Sequence, residues 1–174
     1  MSETLGEVTI RPAEVADAPE ISRVHTASWQ EAYAGIVPAE YLDSLDPKNR
    51  EPMWTEHLRN GPRDGVLTWI ALSGDHALGF ASLGPCRDED AARNEQEIYS
   101  MYLDPGMWGK GVARDLLRTV LGEVKPPVPV SLWVLADSER GRHFYRRHGF
   151  FPDGTERLRD VGGQDLLELR YRRR

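Results

Sequence analysis

Glu97 to Leu117 reads EIYSMYLDPGMWGKGVARDLL. It divides into an apolar strand, Ile98 to Leu103, a break at Asp104-Pro105-Gly106, and a glycine-spaced turn, Gly109-Lys110-Gly111-Val112-Ala113, that opens an amphipathic helix. Such a strand, turn and helix make a seat for an anion. Glycines at positions 109 and 111 let the main chain come close to a ligand, and the free N–H groups of the first helical turn point outward at the positive end of the helix dipole. Phosphate groups bind at such ends. Gly111, not Ser or Thr, follows Lys110, so the stretch lacks the magnesium ligand of a P-loop. The run G-x-G-x-A also lacks the third glycine of a dinucleotide fingerprint.

A second block lies downstream. Val130 to Phe150, VSLWVLADSERGRHFYRRHGF, is an apolar strand followed by a helix carrying Ser138, Gly141, Phe144 and Tyr145, and then Gly149-Phe150. Together the two blocks resemble the GNAT superfamily of acyl-CoA-dependent N-acetyltransferases. In that family a strand ending near Asp-Pro leads into [Gln/Arg]-x-x-Gly-x-[Gly/Ala], and a later strand leads into Asn-x-x-Ala-x-x-Phe-Tyr and Gly-Phe. The first pattern falls on Trp108-Gly109-Lys110-Gly111-Val112-Ala113, with Trp108 where Gln or Arg is usual. That departure matters little if backbone amides do the binding. In the second block Ser138 replaces Asn and Gly141 replaces Ala.

The resemblance implies an α+β fold of GNAT type: a mixed central sheet, helices on both faces, and two central parallel strands, starting near Glu97 and Val128, that splay apart to admit the pantetheine arm. It implies acetyl-CoA as acyl donor, held by Gly109, Lys110, Gly111, Val112, Ala113 and Arg114 at the phosphates. Met101, Tyr102 and Leu103 would pair with the pantetheine as an added strand does, and Ser138 would contact the cofactor. Tyr145 occupies the position of the family's general acid, which protonates the departing thiolate. Glu97 begins the central strand, where related enzymes carry a Glu that takes the amine proton. The first two helices line the acceptor pocket in this fold, which points to Trp29, Tyr33 and Ile36; those aromatics equally suit a core.

Composition bounds the rest. The 174 residues, 40% of them hydrophobic, suit one compact domain, which the resemblance makes a single N-acetyltransferase domain over residues 1–174 with its core over about residues 7–172. Net charge is −6, which argues against a nucleic-acid surface, but residues 1–138 carry 12 Lys/Arg against 22 Asp/Glu and residues 139–174 carry 10 against 6. That split suits an anionic cofactor on one side and a cationic amine on the other. No run reaches the roughly 18 apolar residues of a membrane helix, and MSETLGEV has no apolar signal core, so a cytoplasmic location without a membrane partner is expected. Cys86 is the sole cysteine and reads as a small hydrophobe. His25, His57, His76, His143 and His148 show no metal-ligand spacing, so no metal is expected. Ser28, Ser82, Ser100 and Ser131 have no recognisable Asp/His support for a triad.

Periodicity completes the outline. A strand is expected over Val8–Arg11, and a helix capped by Asp17, with Pro19 in its first turn and Glu20 at N3. Further helices are expected through Tyr41–Leu45, Lys48–Arg59, Val112–Val124 (ended by Pro126-Pro127) and Ser138–His148 with Gly149 as cap. Strands are expected over Val66–Leu72, Ala77–Leu83 and Val128–Leu135, and two more flank Val161-Gly162-Gly163. The expected activity is acetyl transfer from acetyl-CoA to a primary amine of a small molecule by direct attack. A peptide or protein N-acetyltransferase and a non-catalytic acyl-CoA sensor are the alternatives, and association into a homodimer stays open.

Overall fold

The computed structural model describes residues 6–174; Met1–Leu5, part of the polar N-terminal reading, lie outside them. Seven strands form one sheet: β1 (Val8–Pro12), β2 (Leu67–Ser73), β3 (His76–Pro85), β4 (Gln96–Leu103), β5 (Val130–Leu135), β6 (Phe151–Val161) and β7 (Gln164–Arg173), in the order β1-β2-β3-β4-β5-β7-β6. Every neighbouring pair is antiparallel except β4 and β5. The helices are α1 (Ala18–Ala32), α2 (Ala39–Asp43), α3 (Pro47–Asn60), α4 (Val112–Leu121) and α5 (Glu139–Arg147).

Period-two alternation along the strands sends side chains to two separate cores. On one face Ile70, Leu72 and Phe80 pack against Ile21 and Val24 of α1 and Trp54 and Leu58 of α3. On the other, Trp69, Ala71, Leu83, Ile98, Leu132 and Val134 pack against Val112, Leu116, Leu117 and Val120, the apolar stripe of α4. Leu116, Leu117 and Val120 are wholly buried. Removing one such leucine side chain costs about 2–5 kcal/mol. A third cluster joins Trp29, Tyr33, Val37 and Leu42 to Leu135, Val161 and Leu166, closing the α1–α2 segment onto the β6–β7 hairpin.

Two polar ties fix the functional end. Arg23 of α1 reaches across to Asp104 at 2.9 Å and to the Ala77 carbonyl at 2.9 Å. Asp104 also accepts from Gly106 N at 3.1 Å, so the Asp-Pro break after β4 is held in place from both sides. Burial alone would push the Asp104 carboxyl up, but Arg23 and the Gly106 amide hold it below its ordinary range. On the β5 side, Arg142 donates to the Tyr171 hydroxyl at 3.0 Å and to the carbonyl of Ala136, just past β5, at 3.1 Å, pinning α5 to the end of β5 and to β7.

The expected elements are all present, with differences at their ends. Asp17 precedes α1, but its carboxylate does not cap it: it accepts from Glu14 N at 2.7 Å and pairs with Arg11 at 2.8 Å, forming the capping box of a short 3-10 turn instead. Glu20, expected to close a box at N3, is taken by Arg23 at 2.6 Å. α4 stops at Leu121, with Gly122 as its cap, before Pro126-Pro127 is reached. β5 begins at Val130 rather than Val128.

Candidate active site

The two parallel strands touch over only two residue pairs, Gln96 with Val130 and Glu97 with Ser131. Beyond them β5 stays with β7 as far as Leu135, while β4 stays with β3 as far as Leu103. The cause of the parting is in β4. Register along β3 steps from Leu83 opposite Ile98 to Ser82 opposite Ser100, which leaves Tyr99 as an extra residue. A bulge of this kind bends its strand and increases its twist. Gly84 makes room for it, since a Cβ there would lie 2.7 Å from the Tyr99 hydroxyl. The result is an open wedge between Ile98–Leu103 and Leu132–Leu135. Asp104 N bonds to Leu78 O at 2.8 Å on β3. By alternation the amides of Leu103 and Met101 face the wedge, without a neighbouring strand to pair with.

The glycine-spaced turn read as an anion seat lies where β4 ends. Asp104 caps a short 3-10 turn, Pro105–Met107, and the chain then turns through Gly109 at φ +78° and Gly111 at φ +86°, the residue immediately before α4. Both values lie in the left-handed region that side-chain-bearing residues avoid. The amides of Val112, Ala113 and Arg114 are the orphan donors of the helix start. Cations surround them: Arg140 from α5 stacks over the Trp108 ring at 4.5 Å, and an Nη of Arg140 lies 4.0 Å from where a Gly109 Cβ would be. Burial first, and then Arg118, Arg147, Arg114 and Arg173, push the His148 imidazole below its ordinary value, so these arginines from α4, α5 and β7 gather on one side. Of these groups the sequence pattern points only to Arg114. The excess of arginine after residue 138 is the signal for Arg140, Arg147 and Arg173, and Arg118, on the helix itself, has none.

Tyr145 lies on α5, packed edge-on against Phe150 with ring centroids 5.9 Å apart, and beside Phe144 at 5.3 Å. By area it is half-buried. The atoms crowding its phenol nonetheless push the pKa well above the ordinary 10, and Tyr102, on the opposite face of the sheet, adds to the rise. Among the described residues the Tyr145 hydroxyl makes no side-chain hydrogen bond, and it stays a neutral O–H. Ser138 is the N-cap of α5, its Oγ accepting from Gly141 N at 3.2 Å. A Cβ on Gly141 would come within 2.8 Å of that oxygen, which accounts for glycine in place of the usual Ala.

On the α1 face, Tyr102 turns away from the wedge's backbone edge and stacks on His25 with centroids 5.1 Å apart and planes 23° from parallel. Met101 and Leu103 point the other way, onto the α4 core. Trp29 and Tyr33 meet at 4.8 Å and are both buried, while Ile36 only flanks their cluster. The Trp29 indole N–H faces the Tyr102 hydroxyl without forming a hydrogen bond of normal geometry, and it is buried without a partner. Glu97 is 2% exposed and fully engaged: its carboxylate accepts from Arg87 N at 3.0 Å and from the Arg87 guanidinium at 2.8 Å. Arg87 in turn stacks on Tyr99 at 3.9 Å.

The acidic loop is not a free negative surface. Asp88 and Asp90 turn onto Arg170 at 3.4 and 2.6 Å, and Glu95 is bound by Arg172. Cys86, Asp88 and Glu97 offer ligand atoms within 4.8 Å of one another. Both acids there are already bound to guanidinium groups, and burial pushes the Cys86 thiol above its ordinary value, which disfavours the thiolate a metal would need.

A splayed β4–β5 pair facing a helix N-terminus fits an acyl-CoA-dependent transferase, and comparison with known proteins agrees. Residues 25–150 match the model of the acetyltransferase (GNAT) family. The chain belongs to that family, as an acyl-CoA-dependent N-acetyltransferase. It is 36% identical over 110 residues to an uncharacterized N-acetyltransferase of Bacillus subtilis, a match covering 63% of this chain and 60% of that one. It is 27% identical over 170 residues to a probable N-acetyltransferase of Mycobacterium tuberculosis, covering 95% and 92%. To a spermidine N(1)-acetyltransferase of Thermoplasma acidophilum it is 25% identical over 168 residues, covering 94% and 98%. The crystal structure of the PaiA N-acetyltransferase of Thermoplasma acidophilum in complex with coenzyme A superposes with a TM-score of 0.69 at 22% identity, over 96% of this chain and 98% of that one. Among the described residues no helix is long and apolar enough to cross a membrane.

Proposed function

We propose that this chain, as one domain, moves an acetyl group from acetyl-CoA to a primary amine of a small molecule, by direct attack and without a metal. The observation that carries the reading is the wedge itself. It is an unpaired strand edge running from Glu97 to a phosphate seat formed by two positive-φ glycines, with the Tyr145 hydroxyl unengaged beside it. Bound acetyl-CoA supplies an activated thioester. The amides of Gly109 to Arg114, with the Lys110 side chain, hold its phosphates, and the free amides of Met101 and Leu103 pair with the pantetheine. Ser138 serves first as the cap of α5, and so places Tyr145.

Glu97 accepts the ammonium proton, directly or through water, from the α1 face. Arg87 keeps its carboxylate in place until the amine arrives. Tyr145 gives a proton to the departing thiolate; its raised pKa keeps that proton available across the neutral range. Trp29, Tyr33 and Ile36 border the acceptor. Closure of their segment onto the β6–β7 hairpin, with the Tyr41 ring filling the space beside Gly162, favours a small molecule over a polypeptide, which needs an open channel. A thiol-release assay with acetyl-CoA against amines, amino acids and peptides tests the reading. Turnover confined to peptides, or none with any amine, would overturn it.

A further inference from the structure

We propose that the acceptor amine also carries a carboxylate, bound by Arg50 with the help of Arg159, His25 and Trp29. This rests on the small-amine acetyltransferase reading above and names its substrate class. Guanidinium groups lie over three aromatic rings here: Arg50 and Arg159 over Trp29 at 4.9 and 5.3 Å, Arg87 over Tyr99 at 3.9 Å, and Arg157 and Arg170 over Trp133 at 4.1 and 5.9 Å. Carboxylates answer only some of them. Glu97 serves Arg87, and Glu168 serves Arg157 at 2.8 Å and Arg159 more loosely at 3.7 Å. Asp88, Asp90 and Asp153 all turn onto Arg170.

Arg50 has no carboxylate among the described residues. Its nearest polar atoms are the two ring nitrogens of His25, Nδ1 at 3.3 Å and Nε2 at 3.1 Å, and only the unprotonated one can accept from it. It also stands in the first turn of α3, where the helix dipole disfavours a cation. The nearby Asp46 is occupied, accepting from Lys48 N at 3.0 Å. Stacking on Trp29 and the contact with His25 hold this half-buried guanidinium but leave its charge unanswered, whereas an incoming anion would neutralise it.

The surrounding groups are donors as well. His25 Nδ1 accepts the Trp54 indole N–H at 3.2 Å, which leaves the proton of the neutral ring on Nε2, beside Arg50. The Trp29 indole N–H is buried and makes no hydrogen bond of normal geometry, the Tyr102 hydroxyl being the acceptor it faces. A guanidinium, an imidazole N–H and an indole N–H thus gather around one ring system with no anionic acceptor among the described residues. A carboxylate supplies two acceptor oxygens and the single negative charge that one unanswered arginine calls for. A polyamine would bring a second positive charge against Arg50 and Arg159.

The experiment compares matched acceptors in the thiol-release assay: amino acids against their carboxamides and their decarboxylated amines, with spermidine alongside. The acid of each pair should show a KM lower by about 10- to 100-fold, the range of one charge-assisted hydrogen bond. Arg50→Gln should bring the acid-to-amide ratio toward one, and Arg50→Lys should restore part of it. Arg159→Gln gives a second, smaller narrowing should Arg50→Gln fail to fold. Acetyl-CoA affinity by calorimetry checks that each variant is intact. Preference for carboxamides or polyamines, or an Arg50→Gln effect equal on acid and amide, overturns the carboxylate site and leaves the acetyltransferase reading standing. Absence of acetyl-CoA binding, or of thiol release with every amine, overturns that reading, and the carboxylate site with it.

Discussion

Burial decides what Tyr145 can do. A phenol crowded enough to be pushed above its ordinary pKa is a poor anion and a durable proton source, so its value lies in the O–H. Tyr145→Phe keeps the ring that packs on Phe150 and deletes only that proton. Turnover should fall by about 10²-fold while acetyl-CoA affinity holds, as for other general acids. In the wild type, kcat should show no alkaline limb near pH 10, because the group does not ionise there; a limb at that pH would mean the phenol is solvated and unsuited to the role. Glu97 is a different case, since a buried carboxylate held by Arg87 already has two good partners. If it takes the amine proton, Glu97→Gln should lower kcat/KM most at neutral pH and recover in part as more amine arrives deprotonated. Parallel pH profiles for mutant and wild type would reduce Glu97 to an anchor for Arg87.

At the scale of elements, the two turns that carry the site fail in distinguishable ways. Gly111 at φ +86° tolerates no side chain without strain of about 1–2 kcal/mol, and a β-branched group there also obstructs the close approach of a phosphate. Gly111→Val should therefore reduce acetyl-CoA affinity severely by calorimetry, and an unchanged affinity would move the phosphate seat elsewhere. Ser138→Ala removes the α5 cap and should cost about 1 kcal/mol in urea unfolding. A loss of acetyl-CoA affinity beyond that change would show a direct contact as well. Gly111 could be read from sequence because glycine spacing is a local signal; Ser138 reads there as a cofactor contact, and its cap role is visible only in the structure. The bulge at Tyr99 could not, since it exists only as a mismatch of register with β3, and the sequence of β4 alone reads as an unbroken strand. The expected cap at Asp17 failed for a similar reason: Arg11, six residues away on β1, competes for the same carboxylate.

Over the whole molecule, net charge was the least reliable guide. The acidic excess before residue 138 suggested an acceptor side that draws cations, yet Glu95, Glu97, Asp88 and Asp90 are each bound to an arginine, two of those arginines from β7. Charges far apart in the chain cancel once the sheet is assembled, and composition cannot show which ones. The burial of His25 is equally a property of the assembled fold, and it sets how the protein answers to acid. Trp29, Trp54, Phe80 and Tyr102 enclose the ring, and desolvation, then Arg50 and Arg159, lower its pKa from 6.5 to about 3. The unfolded chain binds a proton there below pH 6.5 and the folded chain does not, so this contribution is whole above pH 6.5 and is lost progressively as the pH falls toward 3. At pH 5 the loss should be about 2 kcal/mol. Asp17, Glu20, Asp104 and Asp153 have lowered pKa values and add their own losses only as the pH drops below about 4, so the two effects separate on the pH axis. His25→Gln keeps an acceptor for the Trp54 indole but binds no proton in either state. It should destabilise the protein at pH 7.5, and its deficit relative to wild type should shrink by about 2 kcal/mol when urea unfolding is repeated at pH 5. Equal deficits at the two pH values would mean that His25 is protonated alike in both states, and that the ring is wetter than its neighbours imply.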